Sequence, residues 1–211
     1  MVVQVVDLTA AQRADLESAV ASVETNTEAE LVLVVSNRCG SPFQDALALA
    51  AVAALCLPAL VWWWFDGSAA ALYSTQVLTL FVALLALTQW PGLLRALWPP
   101  ALQRERVRRH AVEQFHRLGL HRTAHRCGVM VFVSLDERRV EILADVGLDG
   151  RVSPATWQRA VNALVARVKR QELHVGLCDA VALCGTALAD AAPAGPNDAK
   201  TLANAVVLID N

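Results

Sequence analysis

Basic residues are missing from a long stretch of this chain. Residues 46–94 contain no lysine or arginine and one acid, Asp66. Paired cysteines are missing too: five cysteines in no recurring spacing make neither a disulfide framework nor a zinc ribbon. There is no excess of positive charge, since the net charge is −2 and the isoelectric point about 6.2, which argues against a general nucleic-acid binder. No nucleophile elbow, phosphate-cradling glycine loop, Ser/His/Asp arrangement or phosphoryl-transfer cysteine loop is visible. Only 18% of residues are charged against 55% apolar, too apolar for disorder. A mean hydropathy of +0.41 directs attention to membrane segments. The 211 residues leave room for one ordinary domain and something more.

What is present is strongly sorted. Residues 1–45 carry seven acids against two bases, residues 95–126 eight arginines against two glutamates, and the remainder is nearly balanced. The uncharged block splits at Asp66-Gly67-Ser68 into Ala46–Phe65 and Ala69–Trp90. A hydrocarbon core of about 30 Å needs roughly twenty helical residues, so each half is long enough to cross once, and together they predict a transmembrane helical hairpin. Trp62, Trp63 and Trp64 close the first span, and Trp90 and Trp98 follow the second, where an aromatic belt places such rings. Arg95, Arg104, Arg106, Arg108 and Arg109 crowd the end of the second span, whereas the turn carries no base. The positive-inside rule then predicts a multi-pass protein of the inner membrane with both termini cytoplasmic. There the cysteines stay reduced, and Cys56 is a small apolar thiol in mid-membrane. The acidic, patterned first 45 residues and the late onset of the apolar stretch do not fit a cleavable signal peptide. Ser74, Thr75, Gln76 and Thr79 are too few and too uncharged for a transport path and read as helix-packing residues.

The flanks read as pieces of one domain. Thr9 caps a helix from about Ala10 to Glu24, with Leu16, Val20 and Val23 at helical spacing. The branched apolar run Glu30–Ser36 is a buried strand. One helix and one strand cannot build a core alone, so they require the other flank. There, a basic helix spans about Ala101 to Leu118 and stops at Gly119. Val129–Leu135 and Arg139–Ala144 form a hairpin around Asp136-Glu-Arg138. Ser153-Pro154 starts a helix with Trp157, Val161, Leu164, Val165 and Val168 on its buried stripe. A further apolar helix covers Gly176–Ala191. The expected order is thus 1–45 as the first part of an α/β domain, 46–92 as the hairpin, 93–192 as the second part, and 193–211 as linker and tail with the apolar run Ala205–Ile209. The fold class is α/β, a small sheet sandwiched by helices.

The run from Gly128 to Gly147, GVMVFVSLDERRVEILADVG, resembles the central block of the TPM domain family. Its members include thylakoid-lumen and photosystem-repair proteins, an animal receptor modulator and many bacterial membrane proteins. Glu28-Ala-Glu30-Leu31 is similar to the family's first strand entry, with Glu28 where the family has a glycine. Ala111, Phe115, Gly119-Leu120 and Thr123 resemble the helix and turn before the second strand. Trp157, Gly176-Leu177 and Gly185 resemble the later helices, and Pro196–Asp198 with Asn204–Val207 a common tail. The likeness implies an α/β/α sandwich, and either acid phosphatase activity or a role in repair or assembly of membrane complexes.

Asp145-Val-Gly147-Leu-Asp149-Gly150 follows a strand and is the leading candidate site. Hard cations such as Ca2+ or Mg2+ take several oxygen ligands, which a loop of this kind can offer. The resemblance implies that Asp145 matches a recurrent acidic position with a catalytic role and that Glu30 lies near it across the sheet, while the loop itself offers Asp149 as a further metal ligand. The competing reading makes Asp145 and Asp149 turn residues, with Gly147 supplying a positive φ. Arg138 and Arg139 offer guanidinium groups to a phosphate, or are simply solvated. His121, His125 and Cys127 invite a metal reading, but with His110 and His116 they fit better as an extension of the arginine-rich surface facing anionic headgroups. The expected partners are the lipid bilayer and other membrane proteins, with no nucleic acid. The leading reading is an interaction or assembly module for membrane proteins; the alternative is a divalent-cation-dependent acid phosphatase-like hydrolase.

Overall fold

The computed structural model describes residues 8–64, 68–123, 125–195 and 206–209. The chain forms two compact units, one of residues 1–39 with 105–211, the other of residues 40–104.

In the first unit, α1 (Ala10–Glu24) begins where Thr9 accepts from the Gln12 amide and the Gln12 side chain accepts from the Thr9 amide, a reciprocal capping box. β1 (Glu30–Ser36) follows, and its entry is held by buried Glu24, whose Oε1 accepts from the Leu31 amide at 2.8 Å. After the second unit, α5 (Pro100–Arg117) leads through a 3-10 turn at Leu120–Arg122 into β2 (Gly128–Ser134). β3 (Arg139–Ala144), α6 (Pro154–Lys169) and α7 (Leu173–Ala191) complete the core. Ser153 caps α6 through the Thr156 amide, with Pro154 in the first turn, as its sequence predicts.

Among the described residues the sheet has four strands, in the order β3-β2-β1-β4. β1 runs parallel to β2, with Glu30 beside Gly128 and Ser36 beside Ser134, and β2 pairs antiparallel with β3. The fourth strand, β4 (Val206–Ile209), is the apolar run assigned by sequence to a tail. It lies parallel to β1, from Leu33 beside Val206 to Ser36 beside Ile209. The reason is the open edge of β1: every residue of that strand is buried, and an uncovered edge would leave its backbone groups without partners.

Side chains alternate across the sheet. Leu31, Leu33, Val35, Val129, Val131 and Val133 face one layer with Leu16 and Val20 of α1, Leu164 of α6 and Leu177, Val181 and Leu188 of α7. Val32, Val34, Met130 and Phe132 face the other, against Val107, Ala111 and Phe115 of α5. Each fully buried valine or leucine contributes roughly 1.5–3 kcal/mol relative to exposure. A strand preceding the 40–104 unit is thus packed and hydrogen-bonded between strands that follow it, so neither flank can form this sheet alone.

The second unit contains α2 (Pro42–Trp64), α3 (Ala69–Gln89) and the short α4 (Pro91–Leu97). α2 starts earlier than the expected Ala46, because Pro42 and Asp45 suit a first helical turn and the Asp45 amide bonds Ser41 O at 3.1 Å. The turn residues 65–67, the side chains of Trp63, Trp64 and Arg95, and the 196–205 part of the tail lie outside the described residues. Ser68 caps α3 through the Ala71 amide. α2 and α3 pack together through small residues, Ala46 and Ala50 against Leu87, Leu80, Ala83 and Leu84, with Leu94 of α4. Ser74, Thr75 and Thr79 spend their hydroxyls on carbonyls of the preceding turn of α3.

Among the described residues, three helices are long and apolar enough to cross a membrane: α2, α3 and α7. α7 differs from the others in having seven buried positions, Gly176 to Leu188, within the sheet's core. α2 and α3 instead expose Val52, Leu55, Leu60, Val61, Tyr73, Val77, Phe81 and Leu85, with Phe81 at 73%.

Candidate functional site

Asp145 leaves β3 at the end of the sheet where the parallel strands begin. Its amide donates to Gly128 O at 2.9 Å, continuing the β2–β3 ladder by one residue. The side chain is buried and caps the 3-10 turn Val146–Leu148, with Oδ1 accepting from the Val146 amide at 2.9 Å. The carboxylate also meets Arg126 in a bidentate pair, Nη2 to Oδ1 at 2.9 Å and Nε to Oδ2 at 2.5 Å. Arg126 holds a left-handed backbone, φ 55°, which an arginine adopts at a cost. Its amide donates to Thr123 O and its carbonyl accepts from the Gly147 amide at 2.9 Å, so the loops before β2 and after β3 interlock.

Gly147 is a glycine for reasons of space. A Cβ there would lie 2.3 Å from His125 O and 2.6 Å from Arg126 O. The positive φ expected at Gly147 occurs instead at Gly150, at 72°. Asp149 is exposed at the end of the 3-10 turn, its amide donating to Val146 O at 3.1 Å. Glu30 is buried at the start of β1, its amide donating to Cys127 O at 3.3 Å. Beside them Glu28 pairs with Arg151 at 3.3 Å, lies 4.0 Å from His125 Nε2, and accepts a weak bond from Cys127 Sγ at 3.7 Å. Acids and bases therefore alternate along this end. Among the described residues, Asp145, Asp149 and Glu30 are not grouped as three donors within coordination distance of one another. A cation entering at Asp145 would have to compete with the Arg126 guanidinium.

The Asp145 carboxyl is held below its usual value of 3.8, chiefly by the Arg126 hydrogen bonds, with the Val146 amide assisting against burial. Its contribution to stability is therefore complete above that value and is lost as pH falls through the depressed folded value. Asp145→Asn is expected to be less stable than the parent at neutral pH, and the two should converge in acid. Urea midpoints measured across pH check this; equal midpoints at pH 7 would show that the pair contributes nothing.

Arg138 and Arg139 stand at the opposite end of β3. Arg138 is exposed with φ 52° in the hairpin turn, and Arg139 is half-buried beside Ser134. Six extended steps separate Arg139 from Asp145, about 20 Å at ~3.3 Å each, so one phosphate cannot touch both.

That far end holds a cluster that sequence spacing did not suggest. Ser134 Oγ donates to Glu137, Cys39 Sγ donates to Ser134 Oγ at 3.3 Å, and the Cys39 amide donates to Glu137 Oε1 at 3.2 Å. Arg38 pairs with Asp136, Nε to Oδ2 at 2.5 Å. Cys39 is separated from Ser134 and Glu137 by the whole second unit, so only the parallel β1–β2 register reveals it. Burial pushes the Cys39 thiol up to about 12, which keeps it protonated and unreactive at neutral pH.

The histidines are dispersed. His121 accepts from Arg122 Nε at 3.3 Å and lies with its ring 5.0 Å from that of His116, while His110 meets Phe132 edge-on at 6.0 Å. His121, His125 and Cys127 do not form a three-donor group among the described residues. Of the basic surface on α5, Arg104, Arg108 and Arg109 are exposed, Arg109 lying 3.6 Å from Glu105, and Arg106 is half-buried, close enough to act electrostatically on Cys39.

No curated protein matches the chain. A solved structure with a similar fold is the NMR structure of BA42 protein from the psychrophilic bacterium Bizionia argentinensis, at 18% identity and a TM-score of 0.57, covering 96% of this chain and 95% of that one. At that identity the likeness concerns the fold alone. Residues 94–187, from α4 through most of α7, match the family model described as the TPM domain. That match takes in β2, β3 and the Arg126–Asp145 interlock, and over this stretch the chain is similar to the TPM domain family.

Proposed function

We propose that this protein is a TPM domain clipped to the cytoplasmic face of the inner membrane by the α2–α3 hairpin, where it serves as a docking and assembly module for other membrane proteins. The observation that carries the anchor is the apolar exterior of α2 and α3, whose exposed side chains are too many and too contiguous for a helix pair in water. At 23 and 21 residues and ~1.5 Å per residue, both helices have the length to cross about 30 Å of hydrocarbon. Orientation rests on the arginines following the hairpin. Exposed Arg104, Arg108 and Arg109 would each gain on the order of 1 kcal/mol near anionic headgroups.

The docking role is favoured over hydrolysis by the state of the acidic loop. Both Asp145 oxygens are already bound, and the arginines suited to phosphate stand at the other end of β3. The competing proposal keeps Asp145, Asp149 and Glu30 as ligands of Ca2+ or Mg2+ in a phosphatase. Two measurements on the detergent-solubilised full-length protein separate the readings. Affinity purification from gently solubilised membranes should recover a stoichiometric membrane-protein partner, and incubation with a generic phosphomonoester and Mg2+ should release no phosphate above background. Turnover abolished by Asp145→Asn, with no partner recovered, would overturn the docking role in favour of the hydrolase.

A further inference from the structure

α1 and α7 meet closely on one layer of the first unit. A Cβ at Gly185 of α7 would fall 2.5 Å from Val23 Cγ2 of α1, so the Val23 side chain packs directly onto the α7 backbone in the space a glycine leaves. Toward the start of both helices, the same contact brings three donor side chains together. His174 and Cys178 are one helical turn apart on α7 and share a face. His174 Nε2 lies 2.9 Å from Asp15 Oδ2 of α1 and 3.8 Å from Cys178 Sγ. The three donor atoms all fall within 4.8 Å of one another.

We propose that Asp15, His174 and Cys178 bind a divalent zinc ion. Bond lengths of about 2.0 Å to nitrogen, 2.1 Å to oxygen and 2.3 Å to sulfur give a tetrahedron with donor–donor edges of roughly 3.3–3.6 Å. The observed 2.9 and 3.8 Å bracket that range, so small side-chain shifts suffice. One imidazole, one thiolate and one carboxylate suit a borderline cation and not Ca2+ or Mg2+, which take oxygen. Three protein ligands leave a fourth position for water. The local charge also fits: Asp15 and Asp179 both act on the Cys178 thiol, which is raised chiefly by burial, and a bound cation reverses that effect by taking the thiolate. An Asp15–His174 ion pair alone would give the thiol no part. Such an ion would staple the helix that precedes β1 to the last helix of the core, joining the two flanks of the hairpin independently of the sheet.

Cobalt titration of the detergent-solubilised full-length protein tests the site. One equivalent of Co2+ should produce a near-ultraviolet thiolate-to-cobalt band and intense visible bands of tetrahedral cobalt, all removed by zinc. Cys178→Ser should lose the near-ultraviolet band and His174→Gln the visible intensity, while Cys127→Ser keeps both. Stoichiometric zinc should also protect Cys178 of the parent from alkylation, a readout that needs no variant to fold. Absence of the near-ultraviolet band in the parent, its persistence in Cys178→Ser, or unprotected alkylation of Cys178 would overturn the proposal.

Discussion

Gly147→Ala is expected to destabilise the domain by about 3 kcal/mol or more, enough to remove a large part of the stability of a domain this size. The methyl would sit 2.3 and 2.6 Å from two backbone oxygens, of His125 and Arg126, which no rotamer change can move aside. Relief requires separating the loop before β2 from the turn after β3, and with it the Gly147–Arg126 hydrogen bond and the Asp145–Arg126 pair. Gly150→Ala supplies the contrast. Nothing lies within 4 Å of a Cβ there, but the backbone is left-handed at φ 72°. Its cost should be about 1 kcal/mol, that of the conformation alone. Denaturant midpoints of the two variants check the ranking, and a milder effect at Gly147 than at Gly150 would contradict the interlock.

The double substitution Val77→Arg, Phe81→Arg should abolish stable membrane insertion. These side chains are 65% and 73% exposed near the middle of α3. An arginine near the centre of a spanning helix costs roughly 2.5–3.5 kcal/mol on insertion scales, so the pair costs on the order of 6 kcal/mol. In a helix exposed to water the same change would be neutral or would improve solubility. Carbonate extraction of membranes reads the difference: the variant should move to the soluble or degraded fraction while the parent stays in the pellet. A variant retained in the pellet as firmly as the parent would argue against α3 as a span.

Much of the fold is legible because local chemistry and tertiary packing agree. Thr9 with Gln12 marks the start of α1, Ser153-Pro154 that of α6, and the run Glu30–Ser36 is buried on both faces as a continuous branched run implies. β4 is less legible: four apolar residues, Val206–Ile209, become a strand because an edge of β1 awaits them, a fact external to their own sequence. α4 is short and takes its place by packing Leu94 on the α2–α3 pair. At the candidate site the aspartate stands out after its strand, but its partner does not. Arg126 reads as one of eight arginines in a basic segment, and only the β2–β3 register brings it to Asp145. Gly147 shows the same limit, since a glycine beside aspartates suggests a turn conformation, whereas its role is to admit another segment's carbonyls. Asp15 with His174, and Cys39 with Ser134, are joined only by long-range packing, which residue spacing along one chain does not encode.

In the proposed topology the hairpin's turn and the sheet domain lie on opposite sides of the bilayer. Cysteines introduced singly at Ser68, exposed at the cap of α3, and at Arg170, exposed after α6, can be probed in intact cells with a membrane-impermeant maleimide. The Ser68→Cys protein should label without lysis, and the Arg170→Cys protein only once the membrane is opened. Labelling of Arg170→Cys in intact cells, or equal labelling of both only after lysis, would contradict a cytoplasmic domain held by a membrane-crossing hairpin.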